Sequence, residues 1–564
     1  MSLSAYNFRE WVWGYPDGFA RFFSATRPVG YIVVSLALAV ATFGYLARLQ
    51  PSGLLAIDNG SSTLYREAAV GQVVTLNPIY INQNQIDRDI HQLVYEKLLY
   101  IAPNGEAQPA IAESWEFEED GKQLRIKISD KYYWHDGEKV TVDDVLFTIQ
   151  KAMELSGSSR FDTFGNALVG VTVSKVDDRT MIVTLDTYSS TLLETLSFYV
   201  VPKHLLEGLD EEEFFTYGLR VPPVGSGMYS IIELHPDRID LRLNTQFPFD
   251  GKKPSIETIE YSLFDTAEDI QVVYMNRQVD GINGLEEGQY QFVNEYKPSI
   301  YSMQLKNHKK LLYFNMNKEK TKQLELRKAI SYSIDKDRLL EQAGIKGSAS
   351  FSPVMSDSWA LNSKDVYYKF NLESAVKSIE AAGYTKAEGE EYYKDKDGNI
   401  MTLTITYHDE PKNNELIKEL AEMLKEVGIQ LDTRAVDYGR LVNEVLATRD
   451  FEMLLLEVET NIDPDQYNLW HSTKKQYPDL NVSGYEYSRV DVLLERARVS
   501  QDREARTTDY QLFQKYLSQD VPAIVLFEPE YHIIMNDYVK NVSLEGFIYP
   551  HERFRDIQNW EIDR

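Results

Sequence analysis

Two glutamates at the end of an apolar run are the side chains best placed for binding chemistry. Glu457 and Glu459 close the segment FEMLLLEVE (451–459), and Asp463-Pro464 breaks the chain soon afterwards. Residues two apart on a strand project to the same side. Two carboxylates together would suit an ammonium group, because charge-assisted hydrogen bonds are strong. The alternative, a solvated edge of a very acidic protein, stays open on the residues alone.

The loop PVGSG (223–227) invites comparison with a phosphate-binding loop or a nucleophile elbow. It fits neither, because no Lys-Ser or Lys-Thr follows the glycines and Ser226 lacks the Gly-x-Ser-x-Gly spacing. We interpret it as a turn that needs the backbone freedom of glycine. His135-Asp136 is likewise interpreted as turn chemistry.

The sequence contains no thiol and no histidine pair with the spacing of a metal site. Cysteine is absent, and the nine histidines form no His-x-His or His-x-x-x-His pair. His-Glu-x-x-His and Walker motifs are also absent from the sequence. We therefore predict no catalytic residue, no metal site and no cofactor, and a protein that is not an enzyme.

The acidic balance of the 564-residue chain restricts its partners. The formal net charge is -28, and 43% of residues are hydrophobic. Nucleic acid and anionic membrane surfaces require Lys and Arg in excess, so neither is an expected partner. The length is sufficient for several domains with substantial cores.

An uncharged segment near the N-terminus predicts a membrane anchor. Residues 28–47 contain no charged side chain between Arg27 and Arg48, which is about one bilayer crossing. The preceding 27 residues are long for a cleavable signal peptide, so we expect an uncleaved, single-pass signal anchor. Residues 1–27 would be cytoplasmic, 48–64 a linker, and the remainder extracytoplasmic.

The segment 110–149 contains a hairpin followed by a capped helix. Apolar and polar residues alternate in Trp115–Phe117 and Leu124–Ile128, and Asp120-Gly121 between them is a hairpin turn signal. Thr141 and Asp144 have the spacing of a capping box, and the apolar stripe of a helix follows.

From residue 65 onward strands and helices alternate, which indicates an α/β protein. The remaining predicted strands are 73–78, 182–185, a pair within 231–243 that turns at Pro236-Asp237, 311–317, 451–458 and 521–526. The remaining predicted helices are 90–99, 322–334, one capped by Asp335 that ends near 344, 371–383, 416–428 and 503–517.

Ten short motifs in a fixed order carry a resemblance to a known family. They are TLNP (75–78), VYEKL (94–98), PAIAESW (109–115), WHDG with TVDDV (134–137 and 141–145), VPK (201–203), PVGSG with Tyr229 (223–227), RKAISYSID (327–335), AAGY (381–384), DP (463–464) and DVP (520–522). This succession resembles the extracytoplasmic solute-binding proteins of the oligopeptide and dipeptide ABC transporter family, over residues 65 to 545.

The resemblance implies a two-lobe, periplasmic-binding-protein-like (type II) fold with an extra inserted domain. Lobe I would comprise 65–108, 221–316 and 526–564, the inserted domain 109–220, and lobe II 317–525. Chain crossings near 315–317 and 523–526 would form the hinge. Closure about the hinge would bury the ligand between the lobes.

The resemblance also implies where a ligand binds. Peptide-binding members receive the ligand's amino terminus on an aspartate before the Asp-Pro turn, after a Gly-Trp that this chain lacks. The predicted ligand-binding residues are Asn77, Tyr80, Arg449, Glu457, Glu459, Thr460 and Asn461. Asn77 and Tyr80 belong to a loop that faces the cleft in the family, and Arg449 resembles positions that receive a ligand carboxylate.

The leading functional hypothesis is a membrane-anchored receptor that captures peptides or peptide-like solutes and delivers them to an ABC permease. The runner-up is a receptor for another small solute, such as a nickel chelate, a sugar or a signalling peptide. An anchored extracytoplasmic hydrolase and an anchored scaffold or chaperone are the alternatives from other classes.

Overall fold

The computed structural model describes residues 63–80, 84–156, 164–285, 298–365 and 367–563. The predicted cytoplasmic segment, the predicted membrane anchor and nearly all of the predicted linker lie outside these residues. Within the described part, no helix has the length and apolar character needed to span a bilayer. The anchor at 28–47 therefore stays a prediction.

Strands and helices alternate through the described chain, as an α/β protein requires. The strands are β1 Leu64–Val70, β2 Leu99–Ile101, β3 Ala107–Pro109, β4 Ala112–Glu118, β5 Gln123–Ile128, β6 Thr172–Asp177, β7 Thr180–Thr184, β8 Tyr229–Leu234, β9 Arg238–Leu243, β10 Thr258–Phe264, β11 Gly281–Asn283, β12 Ser299–Gln304, β13 His308–Phe314, β14 Gly347–Ala349, β15 Thr402–His408, β16 Gln430–Val436, β17 Met453–Glu459, β18 Ala523–Met535, β19 Val539–Lys540 and β20 Glu561–Ile562. The α-helices are α1 Gln85–Val94, α2 Val142–Glu154, α3 Leu192–Thr195, α4 Lys203–Leu206, α5 Glu211–Phe215, α6 Ala267–Met275, α7 Leu324–Ser333, α8 Lys336–Gln342, α9 Leu372–Ala381, α10 Pro411–Glu426, α11 Tyr438–Arg440, α12 Tyr467–Trp470, α13 Ser488–Val499 and α14 Arg503–Asp520.

One twelve-stranded mixed sheet runs through both lobes in the order β16-β15-β17-β13-β18-β11-β1-β10-β9-β8, and β12 and β14 also pair with β18. The long strand β18 is shared: its first part pairs with β13 of lobe II, and its last part pairs with β11 and β12 of lobe I. The chain crosses between the lobes along β18 and at 305–307, between β12 and β13. The second crossing precedes the predicted one, because β13 pairs with β17 along its whole length.

Separate apolar cores support the lobes and a third unit. The core of lobe I includes Ile90 and Tyr261, and that of lobe II includes Ile330 and Leu420. The third core lies between α2 and the antiparallel sheet β4-β5-β7-β6, which belongs to the predicted inserted domain. The residue boundaries of the three units stay predictions.

Local sequence signals predicted several elements correctly. Phe117 pairs with Leu124 across the β4–β5 hairpin, and Asp120 and Gly121 have positive φ of 55° and 86°, as the turn requires. The capping box is present, since the Thr141 N–H donates to Asp144 Oδ2 at 2.8 Å. Asp335 caps α8 as predicted.

Two predictions near the start of lobe I are wrong. Residues 73–78 form an irregular loop and not a strand, because Asp87 in the first turn of α1 accepts the Val74 and Thr75 N–H groups, each at 2.9 Å. The helix predicted at 90–99 spans 85–94, since Asn84 provides its N-cap, and Leu99 begins β2.

The glycines of PVGSG are required because a side chain would not fit there, and not because their backbone needs positive φ. Neither Gly225 nor Gly227 has positive φ. A Cβ on Gly225 would lie 1.9 Å from the Val94 carbonyl oxygen at the end of α1. The loop therefore packs directly on this helix end, which corrects the predicted reason for its glycines.

A buried ion cluster fastens the C-terminal segment to lobe I. Arg553 Nη2 lies 2.9 Å from Glu67 Oε1 in β1 and 2.7 Å from Asp89 Oδ2 in α1. All three side chains are fully buried. Because buried charges require partners, these contacts couple strand, helix and C-terminal segment.

Candidate functional site

The candidate site lies between the lobes, at the carboxyl end of β17. Glu459, the last residue of β17 in lobe II, accepts a bond of 2.9 Å from Arg88 Nη2 on α1 of lobe I. Both side chains are mostly buried, with 16% and 18% of their surface exposed. The two lobes are therefore in direct contact in this structure.

Glu457 shares this side of β17 and contacts basic side chains of lobe II. His308 Nδ1 lies 3.0 Å from Glu457 Oε1, and its Nε2 lies 3.7 Å from Glu459 Oε2. One imidazole thus contacts both carboxylates, which agrees with their predicted common side. Burial would raise the pKa of Glu457, but the His308 hydrogen bond and the charge of Lys310, 3.6 Å away, lower it to about 2.

The structure thus pairs both glutamates with basic side chains of the protein. A solute ammonium would have to compete with Arg88, His308 and Lys310 for them. The sequence analysis did not predict these three basic residues as part of the site. His308 and Lys310 were detectable, because β13 begins with the polar run His308-Lys309-Lys310 before four apolar residues, whereas no local signal linked Arg88 to Glu459.

The next residues have different environments. The Thr460 N–H and hydroxyl both donate to the Asn307 carbonyl oxygen, at 2.7 and 3.1 Å, so this side chain is fixed against the chain crossing. Asn461 is exposed. Whether either contacts a solute stays a prediction.

The Asp-Pro turn contacts the inserted domain through Glu194 of α3. Glu194 accepts the Ile462 N–H at 2.7 Å and the Asp463 N–H at 2.9 Å. Burial raises the pKa of Glu194 to about 8, the Asp463 N–H bond opposes this rise, and the Asp463 charge adds to it. Asp463 itself binds Arg506 Nη2 at 2.6 and 2.7 Å. The sequence analysis did not predict Glu194 as part of the site.

Three predicted site residues hold protein structure together. Asn77 is fully buried and donates to the Phe214 carbonyl at 2.7 Å, and Tyr80 packs edge-on against Phe215 with centroids 5.1 Å apart. Arg449 precedes β17, at the opposite end from Glu459, and donates to the Lys475 and Asp479 carbonyls. Whether any of these three side chains also contacts a solute stays a prediction.

Polar aromatic side chains line lobe I next to Arg88. The Tyr199 hydroxyl donates to Gln92 Oε1 on α1 at 3.1 Å. The Tyr549 ring stacks on His551, with centroids 5.3 Å apart. Burial, followed by the charge of Glu459, raises the pKa of Tyr549.

A cavity of about 320 Å³ lies between the lobes beside β18. It is lined from lobe I by Gly284, Leu285, Glu530, Tyr531 and His532, and from lobe II by Ala343, Gly344, Ile345, Lys346, Pro411, Lys412 and Glu415. Charged groups of both signs and aromatic rings thus line the space between the lobes. These are groups suited to binding a polar solute.

Comparison with known structures identifies the class of fold. The structure of AppA from Bacillus subtilis in complex with a nonapeptide has a TM-score of 0.70 and 22% identity, covering 89% of this chain and 99% of that chain. NikZ from Campylobacter jejuni in complex with Ni(L-His) has a TM-score of 0.72 and 21% identity, with the same coverage of both chains. The chain has the two-lobe fold of solute-binding proteins.

Sequence comparison gives the family. The family described as bacterial extracellular solute-binding proteins, family 5, matches residues 106–478, which is more than half of the chain. The oligopeptide-binding protein AppA of Bacillus subtilis (strain 168) is 24% identical over 520 residues, covering 87% of this chain and 90% of that protein. The chain belongs to the family 5 extracellular solute-binding proteins, which confirms the resemblance seen in the sequence.

Proposed function

We propose that this protein captures peptides or peptide-like solutes between its lobes, outside the cell, and delivers them to an ABC permease. The observation that carries the proposal is the Arg88–Glu459 contact across the cleft in a member of this family. Because the contact requires the lobes to be close together, it stabilises the closed form that would enclose a solute.

The proposal includes attachment to the membrane. An uncleaved anchor at 28–47 would hold the solute-binding part outside the cell, near the permease. A short linker at 48–64 would let the receptor reach its permease while it remains on the membrane surface. The support for this part is the uncharged segment between Arg27 and Arg48.

A receptor for another small solute is the second candidate. The feature that favours it is the pairing of Glu457 and Glu459 with His308, Lys310 and Arg88, because these glutamates are the carboxylates expected to receive a peptide amino terminus. The resemblance of the fold to NikZ, described with Ni(L-His), fits this alternative as well.

Thermal-shift measurements on the purified chain test the proposal. We expect a di- to hexapeptide library to raise the melting temperature, because a ligand that binds the folded state stabilises it. Glu459→Arg would place two arginines face to face across the cleft and should reduce this shift. The control Glu373→Arg changes an exposed glutamate of α9 and should leave it unchanged. No shift with peptides, but a shift with nickel–histidine or sugars, would support the second candidate instead.

A further inference from the structure

Lys97, shortly after α1, is a buried lysine without an acidic partner. Only 9% of its surface is exposed. Within the described residues, no carboxylate lies within ion-pair distance of its ammonium nitrogen, and that nitrogen donates no hydrogen bond. Buried lysines are normally paired, because removing an ammonium from water is unfavourable. Burial accordingly lowers the pKa of Lys97, although the charge of Glu552 opposes this.

Two tyrosine rings hold the ammonium group in place. Lys97 Nζ lies 5.4 Å from the ring centroid of Tyr100 and 5.1 Å from that of Tyr199. Both distances are within the range of cation–π contacts. These contacts leave the ammonium N–H groups without hydrogen-bond acceptors, so the nitrogen can still receive an anionic group.

The nearby carboxylates are already occupied by other groups. Glu96 Oε1 accepts the backbone N–H of Lys97 at 3.0 Å. Glu552 Oε2 accepts the Ile548 and Tyr549 N–H groups at 2.9 and 3.1 Å, and its Oε1 lies 3.5 Å from Arg555. These bonds hold the two carboxylates away from the ammonium nitrogen.

His551 is a second buried basic side chain of lobe I. The His551 ring stacks on Tyr549, beside the Arg88–Glu459 pair. Burial lowers the pKa of His551, and the charges of Lys97 and Arg88 lower it further. His551 Nδ1 is buried and has no hydrogen-bond partner in the part of the chain that the structure describes. Lys97 Nζ and His551 Nδ1 are thus two nitrogens of lobe I without a hydrogen-bond partner among the described residues.

We propose that Lys97 receives a carboxylate of the bound solute, with His551 Nδ1 as a second donor. This inference rests on the proposed function and specifies its substrate class as solutes that carry a carboxylate. A carboxylate fits because it would convert an unpaired buried cation into a charge-assisted pair. The site is separate from Glu457 and Glu459 and has the opposite charge preference.

Binding of matched acids and amides tests the inference. The probes are a di- to hexapeptide library with free C-terminal carboxylates and the same library with C-terminal amides. For the unaltered full chain we expect free acids to bind roughly tenfold to a hundredfold more tightly, the range for a hydrogen bond to a charged group. Lys97→Met should abolish this preference by weakening only the acids, and Lys97→Arg should retain part of it.

The controls separate binding from folding. Lys253→Met removes an exposed lysine of the same lobe and should retain the full preference for acids. Lys97→Met should melt no lower than the unaltered chain without ligand, because it removes an unpaired buried charge. Equal affinity of the unaltered chain for acids and amides would overturn the inference while leaving peptide capture intact. Failure of both libraries to bind would overturn the proposed function and this inference together.

Discussion

Arg88 and Glu459 are 371 residues apart in the chain, yet their side chains meet at 2.9 Å and join the two lobes. Arg88 is on α1 of lobe I, and Glu459 ends β17 of lobe II. The closed form should therefore depend on this contact.

Arg88→Met should shift the protein towards the open form. We expect a larger radius of gyration in small-angle X-ray scattering and about fivefold weaker solute binding, since a partly exposed ion pair contributes about 1 kcal/mol. A double-mutant cycle with Glu459→Gln measures the coupling between the two residues. The control Glu373→Gln removes an exposed pair with Lys377 and should change neither quantity. A scattering profile of Arg88→Met identical to that of the unaltered chain would contradict this account.

Glu194 should make stability depend on pH. Burial raises its pKa to about 8 in this structure, whereas an unfolded chain has the ordinary value of about 4.3. The folded form therefore holds this proton more tightly, so the contribution of Glu194 to stability is full below about pH 4.3 and is lost as the pH rises through about 8.

Melting temperatures between pH 6 and 9 measure this effect. Lys336, whose pKa burial lowers to about 7, acts in the opposite direction in both proteins, so the test is the difference between them. As the pH rises, the unaltered chain should lose more melting temperature, or gain less, than Glu194→Gln, which does not titrate. Asp465 titrates in the same direction, but its pKa of about 6 places most of its effect below this range. Equal slopes for both proteins would exclude Glu194 as the source.

Arg553→Met should strongly destabilise lobe I. The change leaves Glu67 and Asp89 buried without their cation, and breaking a buried pair typically costs about 3–5 kcal/mol. Chemical denaturation measures the loss. Arg242→Met, which alters an exposed arginine on β9, should change the free energy of unfolding by less than about 0.5 kcal/mol. A loss as small as that of the control would mean that the cluster does not fasten the C-terminal segment.

Gly225→Ala should disturb the contact between the PVGSG loop and α1. The new Cβ would lie 1.9 Å from the Val94 carbonyl oxygen, so backbone must move, and we expect a loss of about 3 kcal/mol. Gly439→Ala is the matched control, because this helical glycine has neither positive φ nor a backbone atom close to the new Cβ. The control should be neutral or slightly stabilising. If Gly225→Ala unfolds at the same denaturant concentration as the unaltered chain, the close approach is not required.

The features that were predicted correctly from the sequence are those that depend on residues close together in the chain. The hairpin at Asp120-Gly121, the cap at Thr141 and the ordered family motifs all have local signals, and these were sufficient for the fold class. The strand predicted at 73–78 failed because the Asp87 carboxylate takes backbone N–H groups that a strand would give to a neighbouring strand. The spacing of apolar residues gives no information about a side chain that competes for backbone N–H groups.

The site was less predictable, because its contacts join distant parts of the chain. The sequence indicated that Glu457 and Glu459 share one side of a strand, but their partners His308 and Arg88 precede them by 149 and 371 residues. Lys97 lies inside the recognised motif VYEKL and had no visible role there. Its lack of a partner is apparent only when the surrounding side chains are placed in three dimensions.

Mass spectrometry of small molecules that co-purify with the full-length chain tests the central claim most directly. The account predicts peptides or peptide-like solutes that carry a free carboxylate, present with the unaltered protein and depleted in Glu459→Arg. Glu373→Arg should retain them at the level of the unaltered protein. Exclusive recovery of a solute without peptide character, such as a sugar or a metal chelate, would contradict the claim that this receptor captures peptides.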